Sequence, residues 1–158
     1  MDLPDASRRV VAAARGLGLD IEVRVFPEGT KTSSDAARAA GCALSAIAKS
    51  LVFVVDGDPV VVIMSGDRRV DPARLAEVCG AGDARMASLE EARAATGFAA
   101  GGTPAFGYAT PVPVLIDRSL QRHDEVWSAA GTPTTVYPID RESLVAASGA
   151  RWVDVAAR

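Results

Sequence analysis

Two stretches of this sequence hold residues whose type and spacing bear on chemistry: a lysine inside the apolar run AIAKSLVFVV, and the glycine-rich segment GGTPAFG. If the run is a strand, Lys49 shares a face with Ile47, Leu51, Phe53 and Val55, so its amine stands beside a hydrophobic surface. An unpaired ammonium there is costly, and the side chain must reach water, meet an anion or give up its proton. From the residues alone, a strand-end lysine that snorkels and a lysine that grips a ligand both fit. In Gly101–Gly107, three glycines and a proline shape a loop whose backbone can approach a ligand closely and present bare N–H donors. A plain turn fits the same residues.

The other familiar catalytic arrangements are missing. A Ser-His-Asp or Cys-His site would have to use His123, which stands in QRHDEV with no GxSxG to support it. There is no Walker-type GxxxxGK motif and no strand-linked GxGxxG, which argues against a nucleoside-triphosphate or dinucleotide enzyme. Carboxylates fall mostly at caps and turns and form no evident acid/base pair. Cys42 and Cys79 make no CxxC pair, and a single histidine leaves too few soft ligands for zinc. No metal, no cofactor and no disulfide is expected.

At 158 residues and net charge −3, the chain is about one domain long and acidic. That charge argues against gripping nucleic acid along a long stretch of backbone, though not against contact with a single tip. Paired arginines at Arg8–Arg9 and Arg68–Arg69 read as solvated surface. No apolar run approaches the roughly 18–20 residues that cross a bilayer, and MDLPDASRRVVAAARGLG does not read as a signal peptide, so a soluble cytoplasmic protein is expected.

Positioning Lys49 and the glycine loop falls to a run of short elements. Val10, Val11, Ala14 and Leu17 have helical spacing, with fraying at Gly16 and Gly18; a strand is expected over Ile21–Phe26. TSSD, from Thr32 to Asp35, reads as a capping box for an alanine-rich helix ending at Gly41, which puts Thr32 among free amide donors. Two β-branched runs, 47–55 and 59–64, are joined by DGDP, the strongest hairpin signal in the chain. Asp71 and Pro72 open a helix that turns Leu75, Val78 and Cys79 inward and stops at Gly80; Ser88 and Glu91 repeat the capping box for another that ends at Gly97. Strands follow at Val112–Ile116 and around Val126 and Val136, then a helix from near Asp140. Strands outnumber long helices and are linked mostly by turns, which predicts an α+β domain with a mixed, largely antiparallel sheet.

Together, TSSDAARAAG, AIAKSLVF, SGDRRVD, ATGFAAGGTPAFG, VPVLID and VWSAAGTP stand in the order and approximate spacing of the YbaK-like proteins. These are relatives of the editing domain inserted in bacterial prolyl-tRNA synthetases, and the chain resembles them over roughly residues 20 to 155. The resemblance implies one compact domain over residues 1–158, with a barrel-like, mostly antiparallel central sheet flanked by helices. It implies a freestanding trans-editing hydrolase that cleaves the ester joining a wrong amino acid to transfer RNA. The partners implied are the acceptor end of a mischarged aminoacyl-tRNA and, as a further candidate, a synthetase. Lys49 matches the family's functional lysine, with the role of holding a phosphate or other polar group of the terminal adenosine. Thr32, Ser50, Thr103, Pro104, Phe106, Gly107, Gly131 and Thr132 are the accompanying substrate-binding candidates.

The residues fit such an activity. A methylene is worth only about 1–3 kcal/mol of discrimination, so a synthetase benefits from a second, hydrolytic sieve. Ester hydrolysis needs a stabilised oxyanion, and amides near Gly101 and Gly102 supply that without a titratable side chain. The absent base is then replaced by the substrate's own ribose hydroxyl or amino group. Two departures stand out. Many relatives read GGxxPxG, but here Ala105 holds the proline's place and Pro104 comes one residue earlier. Some relatives carry Asp or His after the late strand, where this chain offers Ser128, Thr132 and Thr134, which points away from the cysteine- and alanine-specific members. Phe106 fits a pocket wall and a core position equally. A non-catalytic binding module of the same fold is the alternative, favoured by the shifted proline; a small-molecule esterase is a third reading.

Overall fold

The computed structural model describes residues 2–30 and 32–158. Helix α1 spans Asp5–Gly16, β1 Arg24–Val25, α2 Ser33–Ala40, β2 Ile47–Val55, β3 Asp58–Ser65, α3 Pro72–Val78, β4 Ala84–Met86 and α4 Leu89–Thr96. Then come β5 Val114–Asp117, β6 Glu125–Ala129, β7 Thr135–Asp140, α5 Arg141–Ser148 and β8 Arg151–Val153. All eight strands join one mixed sheet, in the order β1-β7-β6-β2-β3-β5-β8, with β4 added to β2. The pairs β1–β7, β2–β3, β2–β4 and β6–β7 are antiparallel, whereas β2–β6, β3–β5 and β5–β8 are parallel. This is the expected α+β architecture.

The hairpin forms as the turn residues dictate. Asp56 and Gly57 both take positive φ, 47° and 87°, the two-residue geometry whose twist matches that of the strands it joins. Alternation along β2 and β3 then divides the apolar residues between two faces. Ala48, Val52, Val61 and Ile63 face one core, which Val10 and Ala14 of α1, Ala92 of α4 and Leu144 of α5 close. Phe53, Val55, Val60, Val62 and Met64 face the other, closed by Leu75 of α3. On that second face, nearer β6 and β7, Ile47, Trp127 and Val136 pack against Ala36 and Ala37 of α2 as a separate cluster.

Several local expectations change in the fold. The strand expected over Ile21–Phe26 is ordered as strand only at Arg24–Val25, and β4 and β8, at three residues each, carry too little period to read. Thr32 caps α2, accepting from the Asp35 amide at 3.0 Å, without the reciprocal bond of a capping box, whereas the capping box expected at Ser88 and Glu91 forms in full. No helix among the described residues is long and apolar enough to cross a membrane.

Candidate active site

The candidate site arises from a gap in the sheet. Strand β3 accompanies β2 along its whole length on one edge. On the other edge β6 joins only at Ile47 and Ala48, and β4 only from Phe53 to Val55. Lys49, Ser50 and Leu51 therefore have no strand partner there. A cavity of about 280 Å³ opens at this break, lined by residues 47–51 of β2, Trp127, Ser128 and Ala129 of β6, and Val136 of β7. Thr30, Thr32, Ser33 and Ala36 close it on the α2 side, and Ala100, Gly101 and Thr103 supply the remaining wall.

Lys49 points from the face that β2 shares with Phe53 and Val55, between the Ile47–Trp127 cluster and the Phe53–Met64 cluster. It is half-buried and makes no ion pair among the described residues. Burial lowers its pKa first and repulsion from Arg69 lowers it further, while Asp67 opposes both. Among the described lining residues it is the sole titratable side chain. A cation so placed, with neither partner nor full hydration, favours an anionic group of a ligand.

The glycine loop is held by backbone packing. Gly102 sits so close to the Gly131–Thr132 segment that a Cβ there would lie 2.5 Å from the Thr132 nitrogen and 2.6 Å from the Gly131 carbonyl carbon. The Gly131 amide donates to the Gly102 carbonyl at 2.9 Å, and the Gly102 amide donates to the Ala99 carbonyl at 3.0 Å. Gly102 is thus committed to structure. Its neighbour Gly101 lines the cavity, and its amide has no hydrogen-bond partner among the described residues. Thr103 also lines the cavity, with its hydroxyl tied to the Ala99 carbonyl at 3.2 Å.

Lys49, Ser50, Thr32, Gly101 and Thr103 thus come together around one cavity with Ser128, whereas Gly102, Pro104, Phe106, Gly107, Gly131 and Thr132 are not among its lining residues. Gly131 takes φ of 97°, and a Cβ there would lie 2.8 Å from the Ala6 carbonyl oxygen of α1. Thr132 belongs to a hydroxyl ladder, 2.7 Å from the Thr135 hydroxyl, which in turn receives Ser7 at 3.0 Å. Phe106 is core: it is 4% exposed and tilts against Tyr137, with ring centroids 6.3 Å apart. Pro104 accepts from the Tyr108 hydroxyl at 2.7 Å, and Gly107, at φ of 83°, packs on Ala13 of α1. These five residues hold the wall in place from behind.

Two polar arrangements had no signal in the sequence. Ser45 Oγ stands 2.7 Å from His123 Nε2, a pair outside the cavity. Nearby, Arg122 grips both carboxylate oxygens of Asp67, at 2.7 and 3.0 Å, and Ser65 donates to the same carboxylate at 2.8 Å. The Arg122 hydrogen bonds hold the Asp67 carboxyl well below the usual range. Beside the cavity, Arg24 stacks over the Trp127 ring at 4.8 Å.

The family model described as "Aminoacyl-tRNA editing domain" matches residues 27–147. The chain is 35% identical over 136 residues to YwhH of Bacillus subtilis, an uncharacterised protein, covering 85% of this chain and 86% of that one. It is 32% identical over 111 residues to the proline–tRNA ligase of Citrifermentans bemidjiense, which matches 70% of this chain but only 19% of the ligase. Among solved structures, one described as a candidate trans-editing enzyme for prolyl-tRNA synthetase superposes with a TM-score of 0.93 at 35% identity, covering 99% of this chain and 100% of that one. With the matched segment spanning both the β2 lysine and the glycine loop, the chain belongs to the aminoacyl-tRNA editing domain family.

Proposed function

We propose that this protein is a freestanding, cytoplasmic deacylase that removes a wrong amino acid from transfer RNA, acting in trans to prolyl-tRNA synthetase. The observation that carries this reading is the cavity itself, where Lys49, a cation without an ion pair among the described residues, and Gly101, with an uncommitted amide, meet at a break in the sheet. The family and the full-length likeness to a candidate trans-editing enzyme support it.

In this reading Lys49 holds a phosphate or other polar group of the terminal adenosine at the rim. The Gly101 amide faces the ester carbonyl and stabilises the oxyanion that forms on it. Water adds to the carbonyl carbon, and its proton passes through the neighbouring ribose hydroxyl to the departing ribose oxygen. The ester C–O bond breaks, leaving a free amino acid and uncharged transfer RNA. No described side chain lining the cavity offers a carboxylate or imidazole, which supports a proton path through the substrate.

The test is a deacylation panel. Proline transfer RNA charged in turn with small non-cognate amino acids is incubated with the protein, and ester loss is followed over time. At least one mischarged species is cleaved well above the spontaneous rate, and Lys49→Ala removes that cleavage without loss of the folded state. Binding without turnover sinks the reading in favour of a binding module. Cleavage of small esters but of no aminoacyl-tRNA sinks it in favour of an esterase.

A further inference from the structure

Six of the nine buried hydroxyls among the described residues are satisfied. Ser7 donates to Thr135, Thr30 to the Pro133 carbonyl, Ser65 to the Asp67 carboxylate and Thr96 to the Ala92 carbonyl. Thr103 and Thr135 likewise reach backbone carbonyls. Three buried hydroxyls make no well-formed hydrogen bond among the described residues: Ser50 Oγ, Ser128 Oγ and Tyr137 Oη, of which the last two lie near enough to each other that Ser128 opposes the rise in the Tyr137 pKa that burial causes. They are not scattered. Ser50 and Ser128, 8% and 1% exposed, both line the cavity, and Tyr137 stands directly opposite Ser128 in the β6–β7 register. Ser128 in turn stands opposite Ala48, whose side of β2 is also that of Ser50.

An unmade hydrogen bond at a buried polar group costs about 1–3 kcal/mol, so Ser50 and Ser128, which line the cavity, favour an occupant with polar groups of its own, water in the free protein and a ligand's side chain in the complex. The occupant's chemistry follows from what a hydroxyl lacks. Each serine offers both a donor and an acceptor. An ammonium donates only, a thiol bonds weakly and a methyl group not at all; a hydroxyl both gives and takes, and satisfies two serines in opposite senses.

Resting on the deacylase reading above, we propose that the cavity selects aminoacyl esters with a small hydroxylated side chain, of the serine or threonine type. Ser50 and Ser128 are its specificity-determining residues, with Tyr137 positioning Ser128 from behind. With the adenosine end held at Lys49 and the ester carbonyl at Gly101, the side chain enters toward these two serines. A methyl side chain in the same position leaves both hydroxyls dry and unpaired.

The test charges proline transfer RNA separately with serine, threonine, alanine and cysteine and compares initial deacylation rates. One to three kcal/mol corresponds to a preference of roughly 5- to 150-fold for a hydroxylated ester over the alanyl ester. Ser50→Ala and Ser128→Ala each lower the seryl-to-alanyl ratio by at least about 5-fold. The Tm of Ser50→Ala stays the same or rises, because an unpaired buried hydroxyl is removed, whereas Ser128→Ala also takes away the neighbour of the Tyr137 hydroxyl and is compared on the rate ratio alone. Alanyl ester cleaved as fast as seryl and threonyl esters overturns the proposal. So does an equal loss on all four esters in the variants, which means that the serines hold a group common to every substrate. If the wild type cleaves none of the four, the deacylase reading fails, and selectivity is read separately by titrating non-hydrolysable seryl- and alanyl-sulfamoyl adenosine. Tighter seryl binding that weakens in Ser128→Ala upholds the selectivity, and equal affinities overturn it.

Discussion

Lys49→Met separates what the lysine does for the fold from what it does for a ligand. The substitution keeps the aliphatic stem and removes the charge. In the fold the ammonium is half-buried, lacks an ion pair among the described residues and is repelled by Arg69, and its pKa is lowered accordingly. The unfolded chain therefore binds this proton more tightly than the folded one, so the site's contribution to stability rises with pH between the lowered folded value and the ordinary value of about 10.4. At neutral pH the charge is a net cost. Because solvent still reaches the side chain, the relief is discounted to between zero and about 1 kcal/mol. For a chain of this length that amounts to a Tm unchanged or raised by up to about 4 °C. The catalytic effect runs the other way. A hydrogen bond to a charged group is worth about 1.5–3 kcal/mol, which at about 1.36 kcal/mol per tenfold predicts deacylation slowed roughly 10- to 150-fold. Thermal unfolding at pH 7 and pH 10 and a deacylation time course measure both quantities, with the stability gap narrowing at the higher pH. A Tm lowered by more than about 4 °C, or deacylation within about twofold of wild type, refutes the division of roles.

Two further substitutions probe the surrounding structure. Gly102→Ala drives a methyl group into the Thr132 backbone and destabilises by about 1–3 kcal/mol or more, visible as a lowered urea midpoint together with lost activity; an unchanged midpoint means that the two segments do not touch. Asp67 is held below the usual carboxylate range, so its stabilisation is complete above about pH 4 and fades as acid protonates it. Asp67→Asn therefore costs at most about 1 kcal/mol at pH 7, given the exposure of the pair, and that difference shrinks below about pH 4. An undiminished difference at pH 3 contradicts this account.

What the sequence disclosed follows the range of the interactions. The β2–β3 hairpin is written in four consecutive turn residues and two alternating runs, all local, and Lys49 stood out because it interrupts one of them. The gap beside Lys49 was illegible, since it depends on β6 arriving in parallel from far along the chain and departing after two residues. Residue type also says little about direction. Phe106, Gly107, Gly131 and Thr132 belong to the right motifs, yet backbone geometry turns them toward α1 and the core. The solitary hydroxyls of Ser50 and Ser128 emerge only when every neighbouring polar group is accounted for in three dimensions.

The break beside β2 also has a consequence for how the chain folds. Ile47 must wait for Trp127, and Arg24 for Val136, so the strand that carries Lys49 gains its last neighbours late, after long loops have closed. During synthesis the hairpin of β2 and β3 emerges before β5 and β6, so its outer edges have no strand partner yet. Until the C-terminal half arrives, those edges are a template for pairing with other chains. A half-made chain is thus at its most adhesive along the strand that carries Lys49, and slowing its synthesis between β3 and β6 lengthens that exposure.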